Sequence, residues 1–350
     1  MIPFLDLTRR LTRFEPEYLD AVSRVMRSGT LLLGHETVTF EAEAGASLGG
    51  GHVVAVSSGA AAIQLIIEAL GIVAGDEVIV PAFTAVPTVS AIVAAGARPV
   101  IVDVDAHTAL IDVARVCDAV GKRTRAIVPV HLYGAPVDTA ELAGTGITIV
   151  EDAAQAHGAV RHSTSAATVL SFYPTKNLGG IGDGGAVWTI DAELAGAVRR
   201  RRVHGMTEGY VHVDVSQNFR MSELEAAWLR IQVPHLAAGN RRRAEIARHY
   251  RSVAPQLRWQ ADHSDHVFHL CVARVSNRVS ARSQLADAGV ATAVQYPVAI
   301  TQQPAYGEFA GTPCPHAEQW AAECMSVPCY PELTDAEVET VGEALQRIAP

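Results

Sequence analysis

Three short stretches carry residues whose types and spacing could do chemistry. The first is Ser57-Ser58-Gly59-Ala60, between an apolar run at 52–56 and a helical pattern at 59–70. Small residues at a strand-to-helix turn expose backbone N–H groups at a helix N-terminus, where the dipole also favours an anion. Alone, this motif reads equally well as an ordinary turn with a serine cap. The second is Glu151-Asp152-Ala-Ala-Gln155-Ala-His157, in which Asp152 closes another apolar run. A carboxylate buried there is costly unless it faces a cation. Its plain reading is a helix N-cap, and its chemical reading is a partner for a protonated ring nitrogen. The third is Ser171-Phe-Tyr-Pro-Thr-Lys176-Asn177, followed by Gly179, Gly180, Gly182, Gly184 and Gly185. Of 28 basic residues, only Lys122 and Lys176 are lysines. Lys122 sits in a charged turn, whereas Lys176 follows a strand and a proline. A desolvated lysine has a lowered pKa and can form a Schiff base. The glycines would let backbone approach a ligand closely.

Together these stretches match the needs of pyridoxal 5′-phosphate: a lysine for the aldehyde, an acid for the pyridine nitrogen and an anion site for the phosphate. Asp152 would keep the ring protonated, because an opposite charge raises a base's pKa. Lys176, once displaced, could carry a proton as general base and acid.

The elements that must position these residues follow from hydropathy. Short β-branched runs at 52–56, 77–80, 99–104, 126–130, 148–151, 168–172 and 185–190 alternate with helical patterns at 59–70, 85–95, 112–120 and 138–143. Such alternation implies an α/β fold with a mostly parallel sheet covered by helices. Ligands then sit beyond the carboxyl ends of the strands. A helix is expected at 16–27, with Pro16 in its first turn, and a long helical stretch at 221–252. Within the latter, Asn240-Arg-Arg-Arg243 reads as a solvated face. Beyond residue 265 the pattern changes to a strand at 266–275, helices at 279–288, 316–325 and 334–348, and a proline-rich loop at 296–315. The expected division is a large domain at 1–235 and a smaller α+β domain at 236–350.

Composition excludes several classes. A net charge of −9 disfavours nonspecific nucleic-acid binding. Hydrophobic residues make up 49%, enough for a large core. Five cysteines without a CxxC pair fit a reducing, cytoplasmic setting and offer no structural metal site. No apolar window is long enough to span a membrane, and the N-terminus does not read as a signal peptide.

At this point the chain resembles the DegT/DnrJ/EryC1/StrS sugar aminotransferases, a group of fold-type I pyridoxal-phosphate enzymes. The matching stretches run from IPFLDL at 2–7 through VSSGAAAIQL at 56–65, EDAAQAHGA at 151–159, SFYPTKNLGGIGDGGAV at 171–187 and QNFRMSELEAAWLR at 217–230 to YPELTDAEV at 330–338. The resemblance implies that Lys176 forms the internal aldimine and Asp152 pairs with the pyridine nitrogen. Gln155 would lie near the ring. The amides of Gly59 and Ala60, with Ser171, would hold the phosphate. Asn218 would reach the phosphate of a neighbouring subunit, making the unit a homodimer with shared sites. His157, Tyr133 and Arg220 are its candidates on the substrate side.

The family usually has threonine at Ala60 and a ring-stacking aromatic at Ala85. With Ala85 small, Phe83 is the candidate for stacking. Ile300-Thr-Gln-Gln-Pro304 lacks the histidine often found there, Ser216 replaces a usual glycine, and the stretch 161–167 is short.

The implied reaction moves an amino group from glutamate or glutamine to a keto carbon of a dTDP- or UDP-linked deoxysugar, by a ping-pong route. Such aminosugars serve antibiotic or polysaccharide biosynthesis. The alternatives are amination of a keto-cyclitol, a sugar dehydratase (whose members carry histidine at the lysine position) and a non-catalytic regulatory protein of the same fold. Borohydride reduction of the cofactor-loaded protein should label a single peptide, the one containing Lys176; peptide mapping by mass spectrometry reads this.

Overall fold

In the computed structural model, residues 1–159 and 164–350 are described. The helix α1 (Leu7–Ser28) starts where the Asp6 side chain accepts the Thr8 amide at 3.0 Å, and it ends at Gly29 with φ 69°. Both are standard end signals. Pro16 lies inside this helix, nine residues later than a first-turn position. The carbonyl it leaves without an i+4 partner belongs to the exposed Thr12, so water can satisfy it. The apolar stripe Phe14, Ala21 and Val25 is buried on one face.

Next come α2 (His35–Ser47), which hydropathy did not signal, β1 (His52–Val56), α3 (Gly59–Ala69), β2 (Glu77–Pro81), α4 (Val86–Ala94), β3 (Arg98–Val102), α5 (Val113–Ala119), β4 (Thr124–Ile127), α6 (Thr139–Ala143), β5 (Thr148–Asp152), β6 (Ala167–Ser171), β7 (Gly185–Thr189) and a second unsignalled helix, α7 (Ala192–Arg201). The seven strands form one sheet in the order β1-β7-β6-β5-β4-β2-β3. β7 runs antiparallel to both of its neighbours, and the other pairings are parallel. The mostly parallel sheet expected from the sequence is therefore present, with near-continuous burial along its strands.

The long helix expected at 221–252 is two helices, α8 (Glu223–Gln232) and α9 (Leu236–Val253), separated by a 3₁₀ turn at Val233–His235 that contains Pro234. Proline has no amide to continue the helical ladder. The C-terminal part adds β8 (Arg258–Trp259), β9 (Cys271–Arg274), α10 (Arg278–Asp287), α11 (Pro315–Glu323), β10 (Cys324–Val327) and α12 (Asp335–Gln346). β10, β9 and β8 make a three-stranded antiparallel sheet. The strand expected at 266–275 is shorter, because Phe268 has φ 46° and the Phe268 amide donates to the His266 ring at 2.9 Å instead of to a ladder.

Tyr250, Cys271, Met325, Tyr330 and Leu345 centre a separate core around this small sheet. The partition is not clean along the chain: Ile2 packs on that core, whereas Trp320 and Ala317 pack into the core of the large sheet.

Glu223 ties the N-terminal helices to the rest. Its buried carboxylate accepts the amides of Gly34, Glu36 and Thr37 at 2.9, 2.8 and 2.9 Å and bonds the Thr37 hydroxyl. It thereby caps α2 from across the molecule, satisfying amides that no intrahelical partner can reach. Glu223→Ala should lower folding stability by about 3 kcal/mol, the scale for charge-assisted bonds lost with buried donors left behind. Chemical denaturation with both α2 and global probes measures it.

Candidate active site

The chemistry-bearing residues meet at the carboxyl edge of the large sheet. β7 is antiparallel, so its first residue lies at that edge. Gly185 pairs with Val56 of β1 on one side and Ser171 of β6 on the other. A Cβ on Gly185 would lie 2.3 Å from the Ser58 carbonyl carbon, and one on Gly59 would lie 2.9 Å from the Ser171 Cβ. Glycine at these two positions lets three strands' ends converge on one point.

There the Ser58 hydroxyl accepts the Ala61 amide at 3.1 Å and its carbonyl accepts the Ala62 amide at 3.0 Å. No described residue takes the amides of Gly59 or Ala60, which open α3 and line a cavity of about 360 Å³. Free amides at a helix N-terminus suit an anion. Ser171 lines the same cavity beside this amide cradle.

Asp152 lies in this cavity and is 5% exposed. One carboxylate oxygen accepts the Thr88 hydroxyl at 2.8 Å and the other accepts the Ala154 amide at 3.0 Å. Thr84 and Thr88 are themselves 3.2 Å apart. Asp152 is thus both the turn cap that local sequence allows and an oriented acid. Gln155 also lines the cavity; its oxygen accepts the Tyr133 amide at 2.8 Å and its nitrogen donates to the Tyr296 hydroxyl at 3.2 Å.

Lys176 lines the same cavity. Burial pushes its pKa down to about 8, opposed by the Asp152 carboxylate. The Arg10 guanidinium bonds the Lys176 carbonyl at 3.1 Å and holds its backbone.

The structure also moves several expected residues away from the cavity. His157 is buried against the Phe172 ring at 5.8 Å and does not line the cavity. Burial, then the Lys176 charge, pushes its pKa down to about 3, so it is a neutral packed imidazole. Tyr133 is wholly buried with φ 63°, and its hydroxyl bonds the Gln295 carbonyl. It orients Gln155 and stands behind the site. Phe83 is not over the cavity either. It lies in the core, with its centroid 6.3 Å from Trp320 and 6.4 Å from both Tyr133 and Tyr296. Ala85 remains at the wall, beside Thr84 and Pro87. Asn218 and Arg220 lie outside this chain's cavity, where the Arg220 Nε donates to the Asn218 side chain at 2.8 Å. The carbonyl of Phe219, between them, accepts the Ser57 amide at 2.8 Å, which anchors them next to the cradle.

The glycine run serves protein packing more than ligand approach. A Cβ on Gly179 would lie 2.2 Å from the Pro174 carbonyl oxygen, and one on Gly180 would lie 1.6 Å from a Glu225 oxygen. Glu225 also accepts the Ile181 and Gly182 amides at 3.2 and 3.0 Å. Of the run's members, Gly184 lines the cavity.

The solvated face expected at Asn240–Arg243 is also partly internal. Asn240 donates to the His157 carbonyl at 2.8 Å and accepts from Asn177 at 2.9 Å, and Arg243 is 2% exposed. Thr88 and Tyr296 were missed as site residues. Thr88 follows Thr84 by one helical turn, a spacing that could have flagged it, whereas nothing local marks Tyr296. Part of the short stretch at 161–167 lies outside the described residues. Among the described residues, no cluster of three or more His, Cys, Asp or Glu could hold a metal, and no helix is long and apolar enough to cross a membrane.

A sheet-edge cavity with an enclosed lysine, an oriented aspartate and free helix amides defines a pyridoxal-phosphate site of the fold-type I class. The DegT/DnrJ/EryC1/StrS aminotransferase family matches residues 13–346, and the chain belongs to that family. One relative, the "Erythromycin biosynthesis sensory transduction protein EryC1" of Saccharopolyspora erythraea, is 41% identical over 99% of each chain. Another, the dTDP-3-amino-3,4,6-trideoxy-alpha-D-glucose transaminase of Streptomyces venezuelae, is 41% identical over 99% of this chain and 96% of its own. The crystal structure of S. venezuelae DesV in complex with a ketimine intermediate has a TM-score of 0.95 at 40% identity, covering 99% of this chain and 97% of its own. The present chain is a pyridoxal-phosphate-dependent transaminase.

The neutral amine is the nucleophile toward an aldehyde, so cofactor uptake should accelerate as pH rises through about 8 and level off above it. Because Asp152 holds the Lys176 pKa up, Asp152→Asn should move that midpoint to lower pH. Stopped-flow absorbance of the apoprotein mixed with pyridoxal phosphate checks both.

Proposed function

We propose that this transaminase aminates a keto carbon on a nucleotide-linked deoxysugar, with glutamate or glutamine as donor. The carrying observation is that Lys176, Asp152 and the free Gly59 and Ala60 amides open into one cavity. The sugar assignment is supported by the relatives at about two-fifths identity that are named as dTDP-sugar transaminases. In this reading the Gly59 and Ala60 amides and the Ser171 hydroxyl hold the phosphate. Asp152, fixed by Thr88, faces the pyridine nitrogen, Gln155 borders the ring and Ala85 forms the wall beside it.

When bound, the cofactor supplies the electron sink that lets a proton leave an amino acid's α-carbon. The chain's part is to hold that proton. An amine with its pKa near 8 is the proton carrier that works best near neutral pH. The mostly apolar cavity wall, from Ile63, Ala85, Pro87, Val130 and Ala154, keeps bulk water from competing for it.

The protein acts in this reading as a cytoplasmic homodimer divided at residues 235 and 236. Asn218 is exposed and directly precedes Phe219, whose carbonyl takes the Ser57 amide, which in this reading leaves it to serve a neighbouring subunit. Next to it Val211, Val213 and Val215 are 55, 59 and 102% exposed, an apolar strip of the kind that partner chains cover. The enclosed lysine facing an oriented acid favours catalysis over a purely regulatory role. It equally disfavours the dehydratase reading.

Glutamate or glutamine should bleach the absorbance of the bound cofactor. A panel of nucleotide-4-keto and 3-ketosugars and scyllo-inosose, followed by mass, should show amination of a nucleotide sugar. Lys176→Ala should lower turnover by at least about a thousandfold. Amination of the cyclitol alone would overturn the sugar assignment, and wild-type turnover by Lys176→Ala would overturn the site itself.

A further inference from the structure

Ser222-Glu-Leu-Glu225 has the sequence of a capping box, in which the glutamate returns to the amide of the capping serine. Only half of that box forms. The Ser222 hydroxyl accepts the Glu225 amide at 3.1 Å, but the Glu225 carboxylate turns to the glycine loop before β7. One oxygen, Oε2, accepts the Ile181 and Gly182 amides at 3.2 and 3.0 Å. The other, Oε1, has no hydrogen-bond partner among the described residues, although Glu225 is 3% exposed. The charge that acts on it is that of Asp183, a like charge. A buried carboxylate with an unused oxygen and a like charge beside it is costly to hold. A carboxyl group carrying a proton on that oxygen is not. A Cβ on Gly180 would meet Oε1 and, at 2.8 Å, the Phe172 carbonyl oxygen, so an acceptor borders the same spot.

The loop joins Glu225 to the phosphate cradle. Ile181 and Gly182 lead directly to Asp183 and Gly184, which line the cofactor cavity. A Cβ on Gly184 would lie 3.3 Å from Glu225 Oε1, and one on Gly185 would lie 2.6 Å from the Gly59 amide nitrogen. The carboxyl group and the cradle are therefore separated by one layer of backbone.

We infer that the Glu225 carboxyl takes up a proton when the cofactor's phosphate enters the cradle. The inference rests on the cofactor site argued above and adds to it a proton that travels with the cofactor. A phosphate monoester is close to doubly charged at neutral pH. Seated on the Gly59 and Ala60 amides, it adds a second negative charge to that of Asp183, and like charges disfavour the carboxylate. In the free protein, burial raises the Glu225 pKa to about 7 against the pull of the loop amides, with Asp183 adding to the rise. With phosphate present it must titrate higher. Between the two values the free protein holds a carboxylate and the bound protein a carboxyl group, so binding consumes protons and weakens as pH rises. Tyr18 of α1 also faces Glu225, but burial and then the Glu225 charge push its phenol up, so it stays neutral. His157 titrates at about 3, outside the window, and Lys176 at about 8, inside it. The phosphate's own second ionisation, near pH 6, is complete before the window opens.

The test titrates apoprotein with pyridoxamine 5′-phosphate, which has no aldehyde for Lys176 to condense with. Calorimetry at pH 7.5 in two buffers of different ionisation enthalpy counts the protons. The wild type should take up about half a proton more per cofactor than Glu225→Gln, which keeps an oxygen for the loop amides and cannot titrate. Between pH 7 and 8.5 the wild-type affinity should fall at least about threefold more than that of Glu225→Gln. Lys176 contributes equally to both and cancels. The infrared difference spectrum, bound minus free, should show a protonated-carboxyl band that Glu225→Gln lacks. Asp183→Asn, at an exposed loop position, serves if Glu225→Gln does not fold. It removes the like charge and should move the onset of the affinity loss to lower pH. Equal proton uptake by wild type and Glu225→Gln, or an onset unmoved by Asp183→Asn, overturns the inference and leaves the cofactor site standing. If pyridoxamine 5′-phosphate does not bind the wild type, the cofactor site and this inference fall together.

Discussion

The Lys176 amine is drawn two ways. Burial pushes its pKa down to about 8, and the Asp152 carboxylate pulls it back up. Neither group is tolerable alone in a dry cavity, since an unpaired buried charge carries a large desolvation cost. The surrounding structure divides that cost. Thr88 and the Ala154 amide hold the two Asp152 oxygens, and Arg10 holds the Lys176 backbone. The amine, with its pKa near 8, stays titratable close to neutral pH. The rest of the fold serves to keep these two groups at one sheet edge with the free Gly59 and Ala60 amides next to them.

That placement depends on the antiparallel strand β7. With Gly185 between Val56 and Ser171, the turn after β1 and the end of β6 come within contact distance. The glycine loop before it is packed onto Glu225, whose buried carboxylate takes two loop amides. Burial raises the Glu225 pKa to about 7 against the pull of those amides, with the Asp183 charge adding to the rise. The cradle, the loop and α8 therefore form one continuous packing unit. Glycine-rich sequence here reflects close backbone packing more than open space for a ligand.

Much of this was legible in the chain itself. The strands are nearly continuous apolar runs because both faces of the sheet are covered, so hydropathy located all seven of them. Lys176, Asp152, Ser171 and Gly59 were identifiable because local chemistry restricts what can occupy a strand-end turn. Other residues misled for physical reasons. Pro16 marks a helix start only if nothing upstream caps one, and Asp6 does. Arg243 looks solvated in a run of three arginines, yet helical periodicity puts one of the three inward. Tyr133, His157 and Phe83 lie in motif sequences but point into the core, because alternate residues next to a site must also build its support.

The sequence alone determined the class of chemistry, since two lysines and one ordered set of turn residues leave few options for an amine-based site. It also determined the sheet, because continuous apolar runs separated by amphipathic helices have few other ways to bury their surface. Only the tertiary structure decided which side chains face the amine. Thr88 and Tyr296, which line the cavity with Lys176, come from separate elements, 88 and 120 residues from it in the chain. No local pattern encodes contacts between segments so far apart; they exist only once the two parts of the chain have packed together around the cavity.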